Sequence, residues 1–248
     1  MISHMVSVVI PTYNEANCLS ATLDSVADSK AQKEVIVVDA GSVDGTRELA
    51  GQKASRLLLS SRRQRAHQMN VGAQHARECI LLFLHADTVL PASALDHIES
   101  SLSKDRIIGG GFARRYDSNS RFLRITCLLA GLRTQWAGWF LGDQAIFVRR
   151  DTFEELGGFR DLDLFEDLDF SRRMAKAGQI VTLFPPVISS TRRFKARGEV
   201  LTTLSDVRLT SRYLMGANPN TLAEARRALS DERTTDGDLG VKQWTLKS

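Results

Sequence analysis

Three short, almost unbroken apolar runs, Val6 to Ile10, Val35 to Val38 and Ile80 to Leu84, alternate with stretches of helical spacing. That alternation constrains the fold more than any other feature. Continuous β-branched and leucine-rich runs fit strands buried on both faces, the pattern of a parallel sheet covered by helices. Glu15 to Ser29 places Cys18, Leu19, Leu23 and Val26 on one helical side, and Arg65 to Arg77 does the same with Ala66, Met69, Ala73 and Ala76. Pro91 opens a third such stretch that runs to Leu102, and Arg56 to Leu59 adds another short strand. Strand following helix in this way predicts an α/β fold with a doubly wound, mostly parallel central sheet flanked by helices. The second half reads as mixed. Strands are expected at Arg106 to Tyr116, Ala145 to Val148 and Ile180 to Phe184, the last ended by Pro185-Pro186. Helices are expected at Arg121 to Leu132, at Glu166 to Ala177 closed by Gly178, and at Val200 to Met215. A single domain over 6–229 follows. Residues 1–5 are set aside as a vector remnant or alternative start, and 230–248, rich in Asp, Thr and Gly, as a flexible tail.

The 248 residues are 43% hydrophobic and 25% charged, a soluble composition. A net charge of +4 suits anionic ligands or a membrane surface, although scattered solvated side chains produce the same balance. Cys18, Cys79 and Cys127 are odd in number and lack metal spacing, so they read as reduced core thiols of a cytoplasmic protein. No run approaches the roughly 20 apolar residues of a membrane span. The best stretch, Phe122 to Leu141, is broken by Arg124, Arg133 and Gln135. Met5 to Ile10 is too short for a signal peptide. The stripes in Arg121 to Trp139 and Val200 to Met215 leave open an acceptor pocket, a homodimer contact or a peripheral contact with the inner membrane, core or oligomer packing being the commoner use.

Acidic residues stand where the apolar runs end. Asp39 closes the second run, Asp87 follows the third, and Glu166 and Asp167 open a helical stretch. In open α/β sheets the strand ends and the loops after them form the ligand crevice. Pro11-Thr12-Tyr13-Asn14-Glu15 leads into a helix N-terminus, where anions are favoured; Tyr13 is placed to flank a nucleobase and Glu15 to accept from its imide. A plain turn with Asn14 as N-cap fits equally. A carboxylate at a buried strand tip, as at Asp39, requires a partner such as a ribose hydroxyl or base amide, while Asp44 and Thr46 suit the turn itself. His85 and Asp87, two apart, are expected to project together as a pair for Mg²⁺ or Mn²⁺; the competing reading is a hydrogen-bonded histidine without metal. Gly157 to Phe170 is dense in acids but lacks the glycine of an EF-hand loop. Adjacent carboxylates raise one another's pKa, which suits Glu166-Asp167 to general-base work, whereas Asp169 fits a pair with Arg172 or Arg173. Arg65 is either a base or phosphate contact or a surface arginine.

Val8-Val9-Ile10-Pro11-Thr12-Tyr13-Asn14-Glu15, Val37-Val38-Asp39-Ala40-Gly41-Ser42-Val43-Asp44-Gly45-Thr46, Leu84-His85-Ala86-Asp87, and Gly157-Gly158-Phe159 followed by Glu166-Asp167 together resemble the family 2 glycosyltransferases in order and spacing. The compact length, the His-Ala-Asp form and Arg192-Arg193-Phe194 resemble a small soluble bacterial branch. The resemblance implies a GT-A fold, a nucleotide-sugar donor, a divalent cation (Mg²⁺ or Mn²⁺) and inversion at the anomeric carbon. It implies a nucleotide-binding half over 6–104 and an acceptor and catalytic half over 105–229. Carried across, Pro11, Thr12, Tyr13, Glu15 and Asp39 would hold the nucleoside, with Gly41, Arg65 and Ala86 beside them. Asp87 would bind the metal with His85, and Asp167, paired with Glu166, would deprotonate the acceptor hydroxyl. Gly142-Asp143-Gln144 would form the donor-sugar and acceptor wall, with Arg192 or Arg193 neutralising the departing diphosphate. A UDP-sugar is the first expectation and a GDP-sugar the second, with an unidentified hydroxyl acceptor and no nucleic-acid partner. This chain departs from the common Asp-x-Asp at His85, and it carries Arg192-Arg193-Phe194 where processive relatives carry Gln-x-x-Arg-Trp.

Two other readings compete with this one. A sugar-phosphate nucleotidyltransferase would need a glycine-rich basic loop after the first strand, and Pro11 to Glu15 has neither glycine nor base. A catalytically degenerate nucleotide-sugar-binding scaffold would be compatible with His85. A dinucleotide-binding dehydrogenase lacks its Gly-x-Gly-x-x-Gly after the first strand.

Overall fold

The computed structural model describes residues 5–227. In chain order the elements are β1 (Val6–Thr12), α1 (Ala16–Ala27), β2 (Lys33–Asp39), α2 (Thr46–Lys53), β3 (Arg56–Leu59), α3 (Arg65–His75), β4 (Ile80–Phe83), β5 (Thr88–Val89), α4 (Ala94–Leu102), β6 (Ile107–Tyr116), α5 (Arg121–Ala137), β7 (Ile146–Arg149), α6 (Arg150–Glu155), α7 (Glu166–Ala177), β8 (Gln179–Ser189), α8 (Arg192–Arg197) and α9 (Glu199–Leu214). A 3-10 turn at Gly142–Gln144 precedes β7, and residues 219–227 are helical.

Among the described residues one sheet runs in the order β3-β2-β1-β4-β7-β6-β8-β5. β1 to β4 are parallel, as the alternating pattern predicts, and β7 reverses direction against both β4 and β6. Side-chain alternation explains the two cores. Val8, Ile10, Val37 and Leu82 enter one cluster with Leu19, Leu23 and Leu95 of the helices on that face. Val9, Ile36, Val38, Leu81 and Phe83 enter the other, with Met69 of α3 and Phe170 and Met174 of α7. Each strand is thus apolar on both sides, and burial of both faces drives its formation. Gly72 lets α3 lie directly on the sheet, since a Cβ there would overlap Val9.

Several expectations need correction. β4 ends at Phe83, and His85 to Thr88 form a turn closed by the Thr88 N–H on the His85 carbonyl. The strand-alternation argument for His85 and Asp87 therefore does not hold, although both reach the same cavity. β8 continues through Pro185 and Pro186 to Ser189, because the register against β6 shifts there and the missing N–H groups are tolerated. β5 and α6 were not anticipated, both being too short to show a period, and α5 extends to Ala137. The thiols are not core: Cys79 is exposed, Cys18 and Cys127 half-buried. The expected tail, 230–248, lies outside the described residues.

Candidate active site

β1 and β2 end side by side in register, with Thr12 opposite Asp39. The Asp39 carboxylate is fully buried and its acceptor positions are taken locally. Thr12 Oγ1 donates at 3.0 Å, the Gly41 and Ser42 N–H groups at 3.0 and 2.8 Å, and the Ser42 hydroxyl completes the set. Gly41 has φ +86°, which its Cβ-free backbone adopts without strain. Gln68 Nε2 fastens the Thr12 and Val38 carbonyls, each at 2.8 Å. Asp44 joins this turn to α1 by accepting from the Ala16 and Thr46 N–H groups, the structural role expected of it. Asn14 does not cap α1. Its amide oxygen accepts from the Val43 N–H, and Glu15 occupies the cap position. Arg63 lies 3.6 Å over the Tyr13 ring.

Beyond these turns opens a cavity of about 340 Å³. Pro11, Glu15, Arg65, His85, Ala86 and Asp87 line it from the first half of the chain; Gly142, Asp143, Asp167, Arg192 and Arg193 line it from the second. Thr12, Tyr13, Asp39, Gly41, Gln144 and Glu166 do not reach its wall. Asp39 and Thr12 instead build the turn that sets Pro11 and Glu15. Gln144 is a buried buckle that accepts from Arg133 at 2.8 Å and the Leu141 N–H at 3.1 Å and donates to the Phe112 carbonyl at 3.0 Å. Glu166 is buried against Arg65, 2.8 Å away.

Asp167 sits in the first turn of α7, where helical N–H groups favour negative charge. Its Oδ1 accepts the Leu168 N–H at 2.6 Å and its Oδ2 the Gly142 N–H. Burial pushes its pKa up to about 6, helped by the adjacent Glu166 charge and opposed by Arg65 and the two amides. Burial and Arg65 together lower the His85 pKa, so the imidazole is neutral, and its buried Nε2 has no protein partner. Gly142 packs between the two: a Cβ there would overlap the His85 ring and lie 3.0 Å from Asp167 Oδ2. One backbone position thus brings an imidazole and a carboxylate from distant parts of the chain into one site.

Arg192 clamps Glu15 across the cavity at 2.8 Å. Burial still leaves the Glu15 pKa raised, despite that arginine. Arg193 pairs with Asp206 at 2.9 Å. Arg160 and Arg173 hold Asp169 at 3.1 and 2.8 Å, so the expected Arg173 pair forms while Arg172 lies over Trp139 instead. Sequence reasoning missed Arg114, which reaches Asp143 at 2.5 Å, and it missed Asp206, Thr210 and Arg226 on the far wall. Burial works to raise the Asp143 pKa, but the charge and hydrogen bond of Arg114, joined by smaller contributions from His85 and Arg133, hold the carboxyl below its ordinary value. An arginine two residues beyond Gly109-Gly110-Gly111-Phe112 in a buried strand was a readable signal, because such a charge needs a partner.

The residues fit a divalent cation of limited protein ligation. Among the described residues no group of three or more His, Cys, Asp or Glu could enclose a metal. Asp87 and His85 line the same cavity, the His85 Nε2 itself being buried beside Gly142, and so small a protein donor set suits a hard cation that takes its other ligands from diphosphate and water.

The sequence profile described as Glycosyl transferase family 2 matches residues 7–157. The chain belongs to that family. Within this family 2 match lie the turns at Asp39 and Asp87 and the Gly142-Asp143 wall, while Glu166 and Asp167 fall just beyond it. Among curated relatives, Glycosyltransferase AglE of Haloferax volcanii is 28% identical over 205 residues, covering 74% of this chain and 65% of AglE. A PGL/p-HBAD biosynthesis glycosyltransferase of Mycobacterium bovis is 28% identical, with 76% of each chain covered. Mannosyltransferase PcManGT from Pyrobaculum calidifontis, solved in complex with GDP-Man and Mn²⁺, superposes with a TM-score of 0.61 at 26% identity over 75% of this chain and 56% of its own. S. aureus TarS 1-349, solved with UDP-GlcNAc, gives 0.61 at 18% identity over 75% and 58%, a likeness of fold alone. The chain thus spans less than two thirds of AglE and of both solved neighbours. The mixed sheet with flanking helices is the GT-A fold of these neighbours.

Proposed function

We propose that the chain is an inverting glycosyltransferase that moves a sugar from a nucleotide diphosphate to an acceptor hydroxyl in one displacement. The observation that carries this is Asp167: a buried carboxylate, raised to about 6, facing the same cavity as Asp87 and His85 from the opposite side of the chain. A general base works best when its pKa lies near the operating pH. At neutral pH Asp167 is ionised yet basic enough to take the acceptor proton. The acceptor oxygen forms its bond to the anomeric carbon as the bond from that carbon to the diphosphate oxygen breaks, with inversion. The proton ends on Asp167 and the electron pair on the nucleoside diphosphate.

Asp87 and His85 would hold the divalent cation. Bound there, it would supply Lewis-acid stabilisation of the charge that accumulates on the leaving diphosphate. Arg192 and Arg65 border the same space and would add fixed positive charge, which acts strongly where water is excluded. Glu15 and Pro11 edge the nucleoside end, with Asp39 acting indirectly through its turn. The GDP-Man and Mn²⁺ bound by PcManGT support a nucleotide-sugar donor and a divalent ion here as well. Family membership favours glycosyl over nucleotidyl transfer.

Asp167→Asn tests the reading. With UDP- and GDP-sugars and Mn²⁺, nucleoside diphosphate release should fall by about a thousandfold or more while nucleotide affinity stays within about twofold. Equal loss of both would make Asp167 a binding residue and remove the proposed base.

A further inference from the structure

We propose that the outer faces of α5 and α9 form a docking surface for a lipid bilayer rich in anionic headgroups. On α5, Ile125, Leu128, Leu129, Leu132 and Trp136 are all exposed, Leu128 at 70% and Trp136 at 88%. Their spacing gathers them into one stripe roughly 100° wide. On α9, Val200, Leu204 and Val207 form a second exposed stripe, flanked by Leu201, opposite the buried Thr202 and Leu209. Ser120 donates to Glu199 Oε2, which ties the amino ends of the two helices together. Each stripe gathers exposed apolar side chains on one helical face rather than scattering them singly, the pattern of an interaction surface.

Charge decides the partner. α5 carries Arg121 and Arg124 exposed, its Arg133 being turned inward to Gln144 and the Trp139 carbonyl, and no acidic residue. On α8 Lys195 is exposed, while Arg192 and Arg193 are turned to Glu15 and Asp206 at the cavity, and Arg208 and Arg212 border the α9 stripe. The two acids of α9 are engaged, Glu199 by Ser120 and Asp206 by Arg193. A two-fold contact with a second copy would set like charges against one another, since both sides present the same patch. An anionic bilayer neutralises them and takes the apolar stripes into the headgroup boundary, with Trp136 suited to that boundary. The inner side of α9, at Asp206, Leu209 and Thr210, lines the catalytic cavity. Docking would therefore place the bilayer about one helix diameter, roughly 10 Å, from the cavity.

Flotation of the full chain with phosphatidylcholine vesicles, with and without a minor fraction of phosphatidylglycerol, tests this without reference to transfer activity. The chain should float with the anionic vesicles about tenfold more than with neutral ones, and less at high salt. Leu128→Glu and Leu204→Glu should each cut that partition about tenfold or more, with melting temperature and nucleotide binding unchanged because both side chains face solvent. The idea is overturned if the folded wild-type chain does not float, or if it floats equally well carrying both substitutions. It is also overturned if the chain is a dimer that either substitution splits while vesicles leave it in solution.

Discussion

At the residue scale, Asp167 and Gly142 make the sharpest commitments. Burial holds the Asp167 proton more tightly in the folded chain than in the unfolded one, where its ordinary value is 3.8. As the proposed base it must be ionised, so the transfer rate should climb about tenfold per pH unit below about 6 and level off above it. The stability effect has the opposite sign. A carboxyl raised on folding weakens the fold as it ionises, over the interval from its unfolded value up to about 6. Asp167→Asn carries no charge to bury, so at pH 8 it should melt above the wild type, and the gap should close as pH falls from about 6 towards 4. Thermal melts of both proteins across that range check the sign. Gly142→Ala has a different consequence. The added methyl must displace the His85 ring, so Mn²⁺-dependent nucleotide binding should weaken by about tenfold. Titration with nucleotide in Mn²⁺ and in chelator separates that loss from a general one, since metal-independent binding should be spared.

At the scale of elements, the site is held by links between strands and turns that are distant in sequence. Arg114 of β6 reaches Asp143 of the 3-10 turn before β7, both largely buried. Removing one partner strands the other charge, so Arg114→Met should cost about 3 kcal/mol, while the double change Arg114→Met with Asp143→Leu should recover most of it. Denaturant melts of the four proteins of that cycle give the coupling directly. This pair also marks the limit of what the sequence disclosed. β1, β2 and β4 were legible because both their faces are apolar, and α7 because its period and its closing glycine agree. The turn residues Asp39, Asp87 and Gly142 were legible as motifs. Their division of labour was not: whether Asp39 meets a ligand or its own Thr12, Gly41 and Ser42 depends on how two turns pack. β8 was cut short at Pro185 because tolerance of proline is set by a register shift against β6. The spacing over Val200 to Met215 predicts the amphipathic helix α9, but a period alone does not say which face meets the cavity and which meets solvent.

At the scale of the whole molecule, one continuous sheet carries both contributions to the site. The parallel strands β3-β2-β1-β4 deliver Pro11, Glu15, His85 and Asp87 at their carboxyl ends, and the reversal at β7 brings Gly142 and the N-terminus of α7 against them. The layered cluster of Leu164, Phe165, Leu168, Leu209 and Leu222 fixes α9 over the opening. The central claim is that these distant segments enclose one site for a nucleotide diphosphate and its cation. Thermal melting with GDP and UDP, each in Mn²⁺ and in chelator, for the wild type and Asp87→Ala, tests it most directly. A ligand at about a hundred times its Kd adds about 2.7 kcal/mol, a rise of roughly 5–10 °C for a chain of this size. One of the two nucleotides should produce that rise with Mn²⁺ in the wild type, and Asp87→Ala or chelator should remove most of it. No rise with either nucleotide, or an equal rise in chelator and in Asp87→Ala, would contradict the account.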